Sequence, residues 1–156
     1  MDYNNLHHER ESASIDFEIR KDLIKKQACF AKLTNEELEV LASLLTEKHV
    51  HADEIIVTHG DPVDSVYLIV EGSADVQKTT YLDGVAQKKS LATLNAGAAI
   101  GLNETGFYSL SGKRTATVAA LTDMTLLSLS VAAFHGFALS YPHVNEAMHA
   151  TPPDTD

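Results

Sequence analysis

Cysteine is almost absent. Cys29 stands alone in 156 residues, which excludes an internal disulfide framework and suits a reducing cytoplasm. It lies in an apolar helical stretch, where a lone thiol packs as a small hydrophobe. No apolar run is long enough to span a bilayer, and the opening MDYNNLHHERESAS lacks the apolar segment of a signal peptide. Basic residues are scarce as well: 12 Lys and Arg against 22 Asp and Glu leave a formal net charge of −10. Nonspecific nucleic-acid binding depends on neutralising phosphates with Lys and Arg, so this balance argues against it. No serine sits in a nucleophile elbow, and no lysine follows a Walker-type glycine turn. The expectation is a soluble, cytoplasmic chain that is not an enzyme.

What is present is enough for one domain with its own core, at an ordinary hydrophobic fraction of 44%. Residues 1–13 read as a disordered tail and 151–156, TPPDTD, as a frayed end. Residues 14–48 read as helical. Ile15, Ile19 and Leu23 recur every four residues with Ile24 beside them, and Lys21, Lys25 and Lys26 fall on the wetter side. A second helix opens at Thr34, where TNEE supplies a capping box with Glu37, and Leu38, Leu41, Ala42 and Leu45 form its apolar face.

Residues 49–130 change to short strands and turns. EIIVTHGDP ends in a Gly-Asp-Pro turn, VYLIVEGSADVQ is two strands meeting at Glu71-Gly72, and Leu82-Asp83-Gly84-Val85 carries the Asp-Gly hairpin signal. SLATL, NAGAAIG, TATVAAL and TLLSLS follow. About eight short strands predict an antiparallel β jelly-roll barrel. Helical period returns over 131–150 through VAAFHGFAL, broken by Pro142, with HVNEAMHA as one more short helix. The fold class is α+β, an eight-stranded jelly roll flanked by N- and C-terminal helices.

Two patterns carry possible chemistry. His49-Val50-His51 followed by Glu54 gives HxHxxE, close to the first metal motif of cupins; strand alternation puts both histidines on one face. No later barrel segment supplies the histidine that would complete the shell, so exposed polar strand residues are the simpler expectation. The other pattern is GLNETGFYSLSGKRTATV, from Gly101 to Val118. Gly101 lets backbone approach a ligand closely. A short helix opening just beyond it would aim free N–H groups at an anion. Arg114 can take phosphate oxygens with its planar fork, and Glu104 is suited to accept from a ribose hydroxyl. An arginine leading into a strand also serves as a solvated edge residue or an ion-pair partner, so the pattern needs its context.

That context is a resemblance. LNAGAAIG followed by ETGFYSLSGKRTATV resembles the phosphate-binding cassette of cyclic nucleotide-binding domains. HADEIIVTHGDPVDSVYLIVEGSADV is similar to the family's strand, Gly-Asp-Pro turn, strand and Glu-Gly turn, and TLLSLSVAAFHGFALSYP to its closing strand and hinge helix. The resemblance covers roughly residues 30–148. The family writes Phe/Ile-Gly-Glu with an arginine about ten residues after the glutamate, whereas here Leu102 follows Ile100-Gly101. Two placements fit. In one, Leu102-Asn103 is an insertion and Glu104 takes the ribose role, ten residues before Arg114. In the other, Leu102 holds the acid's position and the ribose contact is lost. The intact ten-residue step favours the first. A charge-assisted hydrogen bond contributes roughly 1.5–3 kcal/mol, so losing it weakens affinity by about one to two decades without abolishing binding.

The resemblance implies a stand-alone sensor or regulatory domain for cAMP or cGMP, with no other cofactor and no metal. Its implied contacts are Gly101, Leu102, Asn103, Glu104, Thr105, Arg114, Thr115 and Ala116, with Val76 and Leu91 under the base. Threonine at 115 is associated in the family with tolerance of guanine. Ligand would shift the hinge helix around Phe134–Leu139 against a protein partner or a second copy. Few residues follow Ala150, which predicts a short or absent lid over the base and no DNA-binding module. The helix from Ile15 either joins subunits or packs on its own barrel. A degenerate, non-binding interaction module and a cupin-like metal enzyme are the alternatives.

Overall fold

Asp16 opens the first helix: its carboxylate accepts from the Glu18 N–H, and α1 runs Phe17–Lys25. The computed structural model describes residues 16–103, 106–107 and 112–144; the predicted tails and Ile15 lie outside them. Arg20, Leu23 and Ile24 of α1, with Gln27 just beyond it, are turned to the body. Leu23 and Ile24 are buried, Arg20 Nη1 donates to the carbonyls of Ala42 and Leu45, and Gln27 Nε2 donates to those of Leu23 and Gly97. This rotates the apolar stripe away from Ile19, which is 44% exposed rather than buried. Lys21 departs from expectation in the other direction. Its side chain is only 14% exposed, lying over the Phe17 ring with Nζ paired to Glu18 and Glu39, because a long aliphatic stem covers apolar surface while its charge finds carboxylates.

Ala28–Phe30 form a 3-10 turn that buries Cys29, and burial pushes its thiol up to about 12. Helix α2 (Asn35–Leu44) has both halves of the capping box predicted at Thr34 and Glu37, and Leu38, Leu41, Ala42 and Leu45 are all buried.

The strands are β1 (Thr46–Val50), β2 (Ile55–Val57), β3 (Ser65–Glu71), β4 (Ala74–Leu82), β5 (Val85–Leu94), β6 (Ala99–Ile100), β7 (Leu102–Asn103), β8 (Gly106–Phe107), β9 (Thr117–Ala120) and β10 (Met124–Ser130). Helix α3 (Val131–Ser140) follows. Two four-stranded antiparallel sheets, β1-β10-β3-β6 and β2-β9-β4-β5, hold eight strands, and β7-β8 is a separate ribbon. The α+β jelly-roll expectation therefore stands, with one refinement: among the described residues no pairing joins the two sheets into a closed barrel.

Burial explains why the β3 run SVYLIV does not alternate. Val66 and Leu68 face the helices with Leu127 and Leu129 of β10, while Tyr67 and Ile69 face the second sheet with Met124 and Leu126. A sheet covered on both faces needs apolar residues at every position. The turns follow their local chemistry. Asp83 and Gly84 both have positive φ between the paired Leu82 and Val85, as a two-residue I′ hairpin requires.

Ser130 caps α3 by accepting from the Ala133 N–H. Phe134 packs on Phe30 at 5.9 Å between ring centroids, and Phe137 packs on Tyr141. The helix stops before Pro142, and residues 142–144 begin another helical turn that buries Val144. The rest of HVNEAMHA lies outside the described residues.

Candidate functional site

The geometry converges on one guanidinium. The Arg114 backbone is clamped by the Gly-Asp-Pro turn: its N–H donates to the Asp61 carbonyl and its carbonyl accepts from the Gly60 N–H. Pro62 bridges to Lys113, and the Val63 N–H donates to the Gly112 carbonyl. The side chain is thereby drawn inward and is only 7% exposed. Nη2 donates to the Ser65 carbonyl at 2.7 Å, with the exposed Asp64 carboxylate 3.7 Å away. Nη1 is fully buried and has no hydrogen-bond partner among the described residues. A buried cationic donor left unpaired is costly, so this nitrogen is a seat for an acceptor that the described residues do not supply.

Gly101 borders that seat. Its φ is +95°, and a Cβ there would lie 3.1 Å from Arg114 Nη1 and 3.0 Å from Val66 Cγ1. Glycine is required both for the backbone conformation and for the closeness. The residues after it do not open a helix, the arrangement that would have aimed amides at an anion. Leu102 and Asn103 form β7, paired with Phe107 and Gly106 of β8, so the chain here is committed to a ladder. Glu104 and Thr105 lie outside the described residues. Leu102 is half-buried and packs on the helix-side core.

The turn opens onto a cavity of about 540 Å³. Gly101, Leu102, Arg114, Thr115 and Ala116 border one part of it; Val57, Val76, Leu91, Leu94 and Val118 supply apolar wall. Two predicted base contacts, Val76 and Leu91, thus line the same space as the predicted phosphate contacts. Leu91 reaches it through a register shift between Val76 and Gln77 that sets Leu91 opposite no residue of β4. Lys78 also lines the cavity, and nothing in the sequence patterns singled it out; its signal was its place two residues after Val76 on one strand face. On the opposite face, Ser90 and Gln77 donate to Asp75 and hold its carboxyl below the usual range.

The histidine pattern dissolves into local pairing. His49 Nε2 is hydrogen-bonded to the Glu47 carboxylate and its Nδ1 to the Thr125 hydroxyl. His51 falls just beyond the end of β1, so it does not share a strand face with His49 as alternation predicted. Glu54 accepts from the His51 backbone N–H, closing a turn. Among the described residues no group of three His, Cys, Asp or Glu is arranged to hold a metal.

With this geometry in place, comparison with known proteins is direct. The family profile of the cyclic nucleotide-binding domain matches residues 47–141. The N-terminal domain of a transcriptional regulator from Streptomyces coelicolor is 26% identical, with a TM-score of 0.69 over 81% of this chain and 84% of that one. A cyclic nucleotide-binding domain from Methylobacillus flagellatus is 26% identical, with a TM-score of 0.66 over 84% of this chain and 70% of that one. The regulatory domain of Toxoplasma gondii PKA, solved with cAMP, shares the fold at 20% identity and a TM-score of 0.68; the match covers 80% of this chain and 46% of that one. No curated protein matches significantly.

Proposed function

The chain belongs to the cyclic nucleotide-binding domain family, and on that premise we propose that it is a sensor or regulatory module whose ligand is cAMP or cGMP. The observation that carries this is the buried Nη1 of Arg114, which has no partner among the described residues, beside the Gly101 turn. A cyclic phosphodiester offers one negative charge and an exocyclic oxygen, which is what this donor lacks. The sugar and base would extend from there over Val76 and Leu91, while Thr115 and Ala116 border the phosphate. Uptake of Leu102-Asn103 into β7 supports treating those two residues as additional. Glu104 then remains the acceptor for the ribose hydroxyl, and Asn103 and Thr105 flank it.

Signal transmission has a physical route. Leu102 borders the cavity and also packs on the core shared by Phe30, Phe134 and Phe137. Ligand that repositions the Gly101–Leu102 turn would shift the hinge helix α3, and a protein partner or second copy would read that shift. A cytoplasmic setting fits the single thiol of Cys29. Among the described residues no helix is long and apolar enough to cross a membrane.

Calorimetry with cAMP and cGMP on the wild type and Arg114→Ala is the test. Micromolar or tighter binding that the substitution removes is the expected outcome, with thermal unfolding confirming that the variant is folded. Absence of binding at millimolar nucleotide would sink the proposal and leave a non-binding interaction module.

A further inference from the structure

The candidate cavity is charge-segregated in an acidic chain. Arg114 and Lys78 are its charged lining residues, and no Asp or Glu lines it among the described residues. Lys78 sits directly opposite Lys89 in the β4–β5 ladder, so both project from the cavity face of the sheet. Thr79 and Lys88 form the next rung, whose side chains point to the other face. Like charges directly opposite one another on a sheet are unfavourable. Neither Lys78 nor Lys89 forms an ion pair among the described residues.

A cyclic monophosphate carries one negative charge, and Arg114 Nη1 already meets it. Lys78 is a second, separate cation. It lies one residue past the last β4–β9 pair, Gln77 opposite Thr117, and therefore beside Ala116, which also lines the cavity. The arrangement is a buried cation at the Gly101 turn and an exposed pair of cations farther out along the same wall.

We infer that this site takes a nucleotide carrying two phosphate groups: Arg114 holds the inner phosphate, and Lys78 with Lys89 holds the outer one. The inference rests on the sensor reading above and specifies its ligand class. The second phosphate is either another phosphodiester or a terminal phosphate; the lysines recognise the shared charge and acceptor oxygens.

The test is calorimetry on the full chain with cAMP, cGMP, cyclic di-AMP, cyclic di-GMP and adenosine 3′,5′-bisphosphate. The proteins are the wild type, Lys78→Ala, the Lys78→Ala/Lys89→Ala pair, and Lys88→Ala as the control on the opposite face. At least one two-phosphate ligand should bind about tenfold or more tightly than the single-phosphate ligands, the scale of one charge-assisted contact. The double substitution should cut that ratio by about the same factor, and Lys88→Ala should leave it unchanged. Whether a cyclic dinucleotide or the bisphosphate gains identifies the source of the second phosphate. Equal affinity for all five ligands overturns this inference while leaving the sensor reading intact. So does a preference that survives the double substitution, or one lost equally in Lys88→Ala. If no ligand binds, the sensor reading fails and this inference falls with it.

Discussion

Arg114 shows how much a single residue can depend on distant backbone. Its backbone is held by the Asp61 carbonyl and its guanidinium by the Ser65 carbonyl, and Nη1, without a partner among the described residues, faces a glycine that cannot be enlarged. Gly101→Ala forces a side chain into positive φ and against Nη1. It should destabilise the fold by about 1–3 kcal/mol and weaken cAMP or cGMP binding, measured by urea unfolding and calorimetry together. Glu104→Ala and Leu102→Ala separate the two placements of the acid. Removing Glu104 should lower affinity by about one to two decades with little change in stability. Removing Leu102, half-buried against the helical core, should instead cost about 1–2 kcal/mol of stability. If Glu104→Ala binds as well as wild type, the two-residue insertion is wrong.

Among the elements, the join between the helices is the most sensitive. His143, just past α3, donates from Nδ1 to both carboxylate oxygens of Glu37, which also completes the α2 capping box. Desolvation pushes the Glu37 carboxyl up. The Thr34 backbone N–H and His143 outweigh it, so the group sits below its ordinary 4.5. A carboxylate lowered in the folded state stabilises above its unfolded pKa, and that contribution is lost as pH falls through the folded one. His143→Ala should therefore destabilise by about 1 kcal/mol near neutral pH, discounted for the half-exposed imidazole. The difference from wild type should shrink as pH drops below 4.5, read from urea midpoints across pH. The β3–β4 turn makes a second test at this scale. A Cβ on Gly72 would stand 2.6 Å from the Asp123 carbonyl oxygen, so Gly72→Ala should cost about 2–4 kcal/mol.

For the whole molecule, β3 and β10 carry the helix-side core on one face and the inter-sheet core on the other, and Leu102 joins the cavity lining to the helix-side core. Ligand binding should stabilise the entire domain. At a hundredfold excess over Kd the gain is about 2.7 kcal/mol, or a thermal midpoint raised by about 5–10 °C for a domain of this size. Arg114→Ala should abolish that shift. Hydrogen exchange should slow at the Gly101–Leu102 turn and change in α3; an effect confined to the turn would contradict transmission through the Phe30–Phe134 contact.

Local chemistry was legible from sequence where its cause lies within a few residues. The Thr34–Glu37 capping box, the Asp83-Gly84 hairpin and the stop before Pro142 each follow from neighbouring atoms, and the order of strand and turn signals was enough to imply the jelly roll. The site was legible only as residue types. Arg114 and Gly101 stood out by spacing, but the burial of the guanidinium depends on Ser65, 49 positions away, and no local pattern encodes that contact. The same limit hid Lys78, whose role in the cavity comes from the β4–β5–β9 pairing. It also misassigned Ile19 and Lys21, because the face α1 buries is chosen by the carbonyls of Ala42 and Leu45 that Arg20 must cap. Sequence by itself determined the fold class and the residues able to meet a phosphate. Tertiary structure alone decided that one such residue is buried beside a glycine, with a donor that no described residue satisfies, because burial is a property of chain segments brought together from afar.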